Sequence, residues 1–385
     1  MPASSRDLRL DFFRGLALIF IFIDHIPENV LSYFTLQAVQ FFDAAEVFIF
    51  ISGYTAALVY GRSLASQGPL FATARILSRA GQLYVAHIFL FVMFTAEVSY
   101  TVTTFNNPMY NDEMRVGDFL QQPHIAIVKA LLLQFQPTYL DILPLYIVLL
   151  VAFPLILLGL RLQPLIVLVP SLLLYLTVQI TDVSVPAYPE GDVWYFNPLA
   201  WQLLFTAGAT LGFHSRHQQR WQRWWPAILP LAVIVVTAGA LIRISWTING
   251  IWDQFPGLLF KELWPINKSN FAPIRLVSFF AGLAIIAAWM PRDSAILHSR
   301  PARPVILCGQ QSLEIFCLSI LLSALGHFVL SEYNSAIVTQ LAVNLASIIA
   351  MCLIASMLDW YKAKSRTPIP AASVAGSSQG KPIGS

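Results

Sequence analysis

The chain has 385 residues, of which 57% are hydrophobic and only 11% are charged. Soluble domains carry about 25% charged residues, so the composition excludes an ordinary soluble protein of this length. The net charge of +3 is unremarkable. The sequence predicts an all-α, polytopic membrane bundle over residues 1–362. Residues 363–385, rich in Ser, Gly, Pro and Ala, are predicted to form a disordered cytoplasmic tail.

Ten apolar stretches are long enough to serve as transmembrane helices, each of which takes about 20 residues. In chain order they are 10–27, 44–61, 78–99, 139–160, 163–181, 197–213, 226–244, 273–290, 304–330 and 336–358. Segment 116–136 is only partly apolar and is predicted as a short surface or re-entrant helix. The first stretch contains charged residues and no small-residue cleavage site follows it. It is therefore predicted as a permanent helix, not a signal peptide.

Basic residues fall on every second connection between the predicted spans. They are Arg6, Arg9, Arg62, Arg75, Arg79, Arg161, Arg216, Arg220, Arg223, Arg292, Arg300, Arg303, Lys362, Lys364 and Arg366. The intervening connections 100–124 and 182–196 are acidic. Because Lys and Arg mark cytoplasmic loops, this alternation predicts ten spans with both termini in the cytoplasm.

The first predicted span holds Asp11, Arg14, Asp24 and His25. Arg14 and His25 are eleven residues apart, about three helical turns, so they share one face about 16 Å apart. Charge inside a span costs roughly 2.5–3.5 kcal/mol and therefore indicates function. Arg14 near the inner surface can bind phosphate or carboxylate, and His25 deeper in can accept a proton. The alternatives are a snorkelling arginine and a histidine with a structural hydrogen bond.

Three carboxylates are candidate partners of His25 in catalysis: Asp24, Glu46 and Glu314. Glu46 in the second span can orient His25 or balance Arg14, or it is an interfacial carboxylate. Asp24 adjoins His25 in sequence and points about 100° away on a helix, which makes it the weakest partner. Glu314 in the ninth span can line a cavity or hold helices together. The sequence does not choose among the three.

Arg75 and Arg79 lie four residues apart and present two guanidinium groups on one helical face. Together with Arg14 they are predicted to hold the phosphates of coenzyme A at the cytoplasmic mouth. The alternative is ordinary positive-inside charge. Asp141 and Gln202, near the starts of the fourth and sixth spans, are predicted to bind an acceptor hydroxyl or to join helices.

The order of these elements resembles the acyltransferase-3 family of membrane acyltransferases and, within it, the OpgC proteins, over about residues 8–360. Arg14 to His25 resembles the family's Arg/Lys-x10-His signature. Residues 48–54, Phe-Ile-Phe-Ile-Ser-Gly-Tyr, resemble its Phe-x-x-Ser-Gly-Phe element. Residues 79–84 resemble the arginine-rich start of its third helix, and residues 307–313 its late Leu-Gly-x-x-Ser-Tyr element.

The chain departs from the general family in two of these elements. Gln82 replaces the usual proline, and Cys308 precedes Gly309. The departures are more like the OpgC proteins, as are the segments 139–146, Tyr-Leu-Asp-Ile-Leu-Pro-Leu-Tyr, and 197–202, Asn-Pro-Leu-Ala-Trp-Gln.

The resemblance implies a multi-pass O-acyltransferase of the Gram-negative inner membrane. Such a protein moves an acyl group, succinyl in OpgC proteins, from cytoplasmic acyl-CoA to hydroxyls of osmoregulated periplasmic glucans. Succinyl-CoA would be a co-substrate and not a permanent cofactor. On this resemblance His25 is the general base, Ser52 and Tyr84 join the arginines at the acyl-CoA site, and Trp201 joins the acceptor site.

Two other classes stay open on the sequence alone. A transporter or flippase of a glycan or lipid-linked sugar also fits ten spans with internal charge, and a structural membrane protein fits less well. Cys308, Cys317 and Cys352 lack ligand-like spacing, so neither a metal site nor a disulfide framework is predicted. The expected partners are acyl-CoA, a periplasmic β-glucan and the lipid bilayer, with no nucleic acid.

Overall fold

The computed structural model describes residues 6–215, 224–247 and 266–365, and these are helical without β-strands apart from isolated bridges. The helices are α1 Leu8–Asp24, α2 Leu36–Val39, α3 Ala44–Phe105, α4 Met109–Glu113, α5 Gly117–Gln121, α6 Pro123–Leu131, α7 Ile142–Leu162, α8 Pro164–Thr181, α9 Pro198–Phe213, α10 Trp225–Thr247, α11 Pro273–Trp289, α12 Ala302–Gln310, α13 Ser312–Glu332 and α14 Ile337–Ser365. The predicted all-α class is confirmed. Arg216, Arg220, Arg223 and the tail from Arg366 onward lie outside the described residues.

Six of the described helices, α3, α7, α8, α10, α13 and α14, are long and apolar enough to cross a membrane. The side chains on their outward faces are apolar and exposed. Examples are Leu155, Ile180 and Leu231, which are 76%, 82% and 62% exposed. Water-soluble monomers rarely present large contiguous apolar surfaces, so these helices are suited to contact with lipid. The bundle therefore has the character of a membrane protein, while the count of ten crossings and the position of the termini stay predictions.

The predicted spans coincide with helices, but three of these helices are short. α1, α9 and α11 have 17, 16 and 17 residues, against the roughly 20 of a full crossing. Segment 116–136 forms the short helices α5 and α6.

The second and third predicted spans both lie in α3, which consists of two helical halves that meet at a break in the connection between the spans. The break is at Gly68, whose φ of +83° is favourable only for glycine, and Pro69 follows. The ninth predicted span is also divided. Gln311 leaves the helical region with ψ of +38°, which separates α12 from α13.

Glycines let two pairs of helices touch backbone to backbone. A Cβ on Gly15 of α1 would overlap the carbonyl oxygen of Val305 in α12, and one on Gly309 would overlap that of Asp11. In the same way a Cβ on Gly53 of α3 would overlap the carbonyl oxygen of Phe205 in α9. Small residues at such crossings permit the close approach that drives helix association in membranes.

Gly53→Ala is expected to destabilise the bundle by about 1–3 kcal/mol, the usual cost of overpacking, because α9 must move away. Gly81→Ala, in the same helix, is the matched control, since its Cβ would meet nothing within 4 Å. Alanine should be neutral there or stabilise by roughly 0.5–1 kcal/mol. Thermal unfolding of the purified variants in detergent measures both. Equal stabilities of the two variants would contradict the packing argument.

Candidate functional site

A cavity of about 440 Å³ lies at the end of the bundle where α1 terminates. It is called here the His25 cavity. His25, Asp24 and Asp141, three of the residues singled out from the sequence, line it together with Tyr139 and Lys268. The end of α1, the start of α3, the start of α7 and the loops before α7 and α9 thus converge on one space. A cavity of this size suits a small molecule or part of a larger one.

His25 caps the C-terminal end of α1, and its backbone N–H bonds back to the carbonyl of Ile21. Its ring stacks on Tyr139 with the centroids 4.2 Å apart and the planes 25° from parallel. Nδ1 is buried and has no hydrogen-bond partner among the described residues. The residue lines the cavity.

The three carboxylates predicted as partners of His25 are each engaged elsewhere in the described structure. Asp24 accepts a hydrogen bond of 2.6 Å from the hydroxyl of Thr35. Glu46 is fully buried and pairs with Arg275 at 2.5 Å. Glu314 pairs with Lys362 at 3.0 Å on a partly exposed surface. Asp24 alone of the three lines the His25 cavity.

A buried ion cluster, formed by Asp43, Glu46, Lys268 and Arg275, stands beside the cavity. The carboxylate of Asp43 lies 2.7 Å from Nζ of Lys268 and 3.0 Å from Arg275. Burial lowers the pKa of Lys268, but the combined effect of Asp43, Tyr195 and Glu46 is larger and the pKa is raised. Burial likewise favours protonated Asp43, yet Lys268 and Arg275 hold its pKa well below the usual range. Asp43 and Lys268 therefore stay ionised, and Lys268 gives the cavity wall a fixed cation.

The sequence around Asp43 explains why the cluster forms. Asp43 and Glu46 make a capping box at the start of α3: Asp43 accepts from the N–H of Ala45 at 2.8 Å, and Glu46 accepts from the N–H of Asp43 at 2.9 Å. Two carboxylates on a helix N-terminus satisfy its free N–H groups. In an apolar environment an unpaired carboxylate is strongly destabilising, and Lys268 and Arg275 are the cations that pair with these two.

The segment Asn197–Gln202 lies outside the cavity and holds neighbouring segments in place through hydrogen bonds. Trp201 is fully buried, and its Nε1 donates to the carbonyls of Lys268 and Ser269 at 3.2 and 3.1 Å. Gln202 exchanges hydrogen bonds with Ser171 of α8. Trp201 thus fixes the loop that carries Lys268, and Gln202 joins α8 to α9. Of the residues predicted for the acceptor site, Trp201 and Gln202 do not line the cavity, whereas Asp141 does.

Asp141 lies directly before α7 and makes no capping hydrogen bond through its side chain. Asp141 lines the cavity. A carboxylate can accept a hydrogen bond from a hydroxyl group.

The predicted coenzyme A site lies at the opposite end of α1, called here the Arg79 end. Arg14 donates to Thr55 at 2.6 Å, Arg75 reaches Ser63 at 3.5 Å and Arg79 donates to Gln82 at 3.0 Å. Arg79 lies close enough to act electrostatically on both Arg14 and Glu314. The arginines are therefore gathered at one end, as their positions in the sequence predicted.

The other two residues assigned to that site have structural contacts. Ser52 is buried in α3 beside Gly53, where α3 meets α9. The hydroxyl of Tyr84 donates to the carbonyl of Leu131 at 2.8 Å and ties α3 to the end of α6.

Three aromatic side chains form a series of ring contacts that leads from the His25 cavity towards Arg14. Phe316 lines the cavity, and its ring centroid lies 6.1 Å from that of Phe48, which lies 6.3 Å from that of Tyr146. Tyr146 is within electrostatic range of Arg14. Phe316 and Phe48 are 1% and 4% exposed. These three residues are called here the aromatic layer.

Sequence reasoning missed Lys268, Arg275 and the role of Tyr139. Arg275 lies inside the eighth predicted span, so the rule that flagged Arg14 would have found it. Lys268 lies in a loop, where a lysine is unremarkable. Tyr139 lies 114 residues after His25 in the chain, so no local sequence pattern reveals the contact between the two rings.

Comparison with known proteins adds one match. No curated protein and no solved structure is detectably similar to this chain. The protein family described as OpgC protein, in contrast, matches residues 6–363. The match covers the helices of both ends, the His25 cavity and the aromatic layer. This chain therefore belongs to the OpgC protein family.

Proposed function

We propose that the chain is a membrane O-acyltransferase that moves a succinyl group from cytoplasmic succinyl-CoA to hydroxyls of osmoregulated periplasmic glucans. In this proposal it belongs to the acyltransferase-3 superfamily and crosses the inner membrane ten times with both termini in the cytoplasm. The His25 cavity then faces the periplasm and the Arg79 end faces the cytoplasm.

One observation carries the proposal: a histidine lines a cavity with polar walls in a chain of the OpgC family. A neutral imidazole is the usual general base near neutral pH. The arginines at the Arg79 end supply the charge that phosphates require. Donor and acceptor thus have separate ends, with His25 at the acceptor side.

In the proposed reaction Nε2 of His25 takes the proton from a glucan hydroxyl. The oxygen attacks the thioester carbonyl carbon, the C–S bond breaks, and coenzyme A leaves as a thiol after taking up a proton. Arg14 and His25 are separated by about 16 Å along α1, so the pantetheine arm has to cover that distance. It also has to pass Phe48 and Phe316.

The walls of the His25 cavity fit a sugar acceptor. Tyr188 and Tyr195 supply aromatic faces, and Asp141 and Asp24 supply hydrogen-bond acceptors. Aromatic rings bury the apolar faces of a bound ring, while a few convergent polar groups fix its orientation.

His25→Gln is expected to lower succinyl transfer by about 10²–10⁴-fold, the usual contribution of a general base. Gln keeps the size and polarity of the side chain but cannot take the proton. Transfer is measured by mass spectrometry of glucans from a strain that lacks its own enzyme. His124→Gln, an exposed histidine in α6, is the control and should act as wild type. Undiminished transfer by a normally expressed His25→Gln protein would refute the assignment.

Arg75→Ala combined with Arg79→Ala should raise the KM for succinyl-CoA by about tenfold or more, since charge-assisted hydrogen bonds contribute about 1.5–3 kcal/mol each. The KM for the glucan should not change. Arg161→Ala combined with Arg300→Ala removes two exposed arginines elsewhere and controls for net charge. If both double variants bind succinyl-CoA equally well, Arg75 and Arg79 serve membrane topology alone.

Asp141→Ala is expected to raise the KM for the glucan by about tenfold, because a hydrogen bond to a charged group is worth about 1.5–3 kcal/mol. The KM for succinyl-CoA should stay the same. Because the side chain makes no capping bond, the variant should fold normally. Asp112→Ala, exposed on α4, is the control. A change in the KM for the donor alone would remove Asp141 from the acceptor site.

A further inference from the structure

His25 lacks the partner that usually holds a catalytic histidine in place. In most sites a carboxylate or carbonyl accepts from one ring nitrogen and fixes both tautomer and orientation. Here Nδ1 has no such partner among the described residues. The nearby carboxylates Asp24 and Asp43 are bound to Thr35 and Lys268. Within the described part of the chain, no hydrogen bond to Nδ1 orients the ring.

Tyr139 makes the contact that can do so. Its ring lies almost parallel to the imidazole at a centroid distance of 4.2 Å, within the range of stacked aromatic pairs. Both rings line the cavity. Tyr139 therefore covers one face of His25 and restricts rotation of the imidazole about its χ2 angle.

The backbone at Tyr139 is unusual. Its φ is +73°, a region that bulky side chains rarely enter and that costs free energy unless the surroundings enforce it. The neighbouring residues do enforce it. Thr138 donates through its N–H to Met114 and through its hydroxyl to Glu113, at 3.1 and 2.8 Å, and Leu140 donates to Pro137 at 3.0 Å. Strained residues of this kind cluster at functional sites.

We propose that Tyr139 is a positioning residue, which by stacking holds the imidazole of His25 with Nε2 towards the acceptor. The left-handed backbone is what brings its ring over the histidine. The flat face of the ring is required and the hydroxyl is not. This inference rests on the proposed role of His25 as the base. It adds that an aromatic ring orients the imidazole, as a carboxylate does in most catalytic sites.

The test compares Tyr139→Phe, which keeps the ring, with Tyr139→Gly, which removes the ring and favours the positive φ. The full-length proteins are placed in lipid nanodiscs with succinyl-CoA and isolated glucan. Tyr139→Gly should lower kcat by about 10–100-fold, the effect of a misplaced catalytic group, with little change in the KM for succinyl-CoA. Tyr139→Phe should keep kcat within about twofold of wild type.

A second measurement does not depend on turnover. Diethyl pyrocarbonate modifies neutral imidazole, and peptide mass spectrometry gives the rate at His25. The rate should rise several-fold in Tyr139→Gly and stay unchanged in Tyr139→Phe. Tyr139→Leu, which keeps bulk without a flat aromatic face, should behave as Tyr139→Gly in both assays. If Tyr139→Gly does not fold, Tyr139→Leu tests the stacking role in its place.

Wild-type kcat in Tyr139→Gly or Tyr139→Leu would overturn the proposal, since the residue would then serve only the loop. A loss in Tyr139→Phe equal to that in Tyr139→Gly would also overturn it, because the hydroxyl would then be the essential group. His25→Gln, run in parallel, keeps the two proposals apart. Full turnover by that variant refutes the base, whereas unchanged modification of His25 in Tyr139→Gly refutes the stacking contact.

Discussion

Four charged side chains meet at the start of α3, beside the His25 cavity. Asp43 and Glu46 face Lys268 and Arg275 in a setting where an unpaired charge costs about 3–5 kcal/mol. Because the partners come from α3, from the loop before α11 and from α11 itself, pairing fixes all three segments relative to one another. Lys268 and Asp43 also line the His25 cavity. The wall of the site is therefore positioned by electrostatics in a bundle otherwise held by apolar packing.

The same cluster explains why His25 is oriented without a carboxylate. Asp43 and Glu46 are used to cap α3 and to bind Arg275, so neither can turn towards the imidazole without leaving a buried cation unpaired. A neutral stacking contact with Tyr139 avoids adding another charge to this region. In the proposed reaction it orients the ring and leaves Nε2 to act as the base.

Sequence reasoning found the features that hydropathy and charge placement express. The spans coincide with helices because an apolar stretch of that length has few other structures in a bilayer. His25 and Asp141 stood out as ionisable residues at apolar helices, and both line the cavity. The break in α3 at Gly68 falls within the polar connection predicted between the second and third spans. Lys268 and the stacking of Tyr139 depend on contacts between distant segments, which no local pattern encodes.

The aromatic layer sets the remaining physical condition on the proposed reaction. A water-filled path from the Arg79 end to the His25 cavity would let protons and solutes cross the membrane. The buried rings of Phe48 and Phe316, with centroids 6.1 Å apart, would hinder such a path. In the proposed reaction the acyl-pantetheine arm has to displace these rings to reach the cavity. The layer would then reseal around the arm, so that the thioester meets the acceptor hydroxyl with bulk water excluded and hydrolysis suppressed.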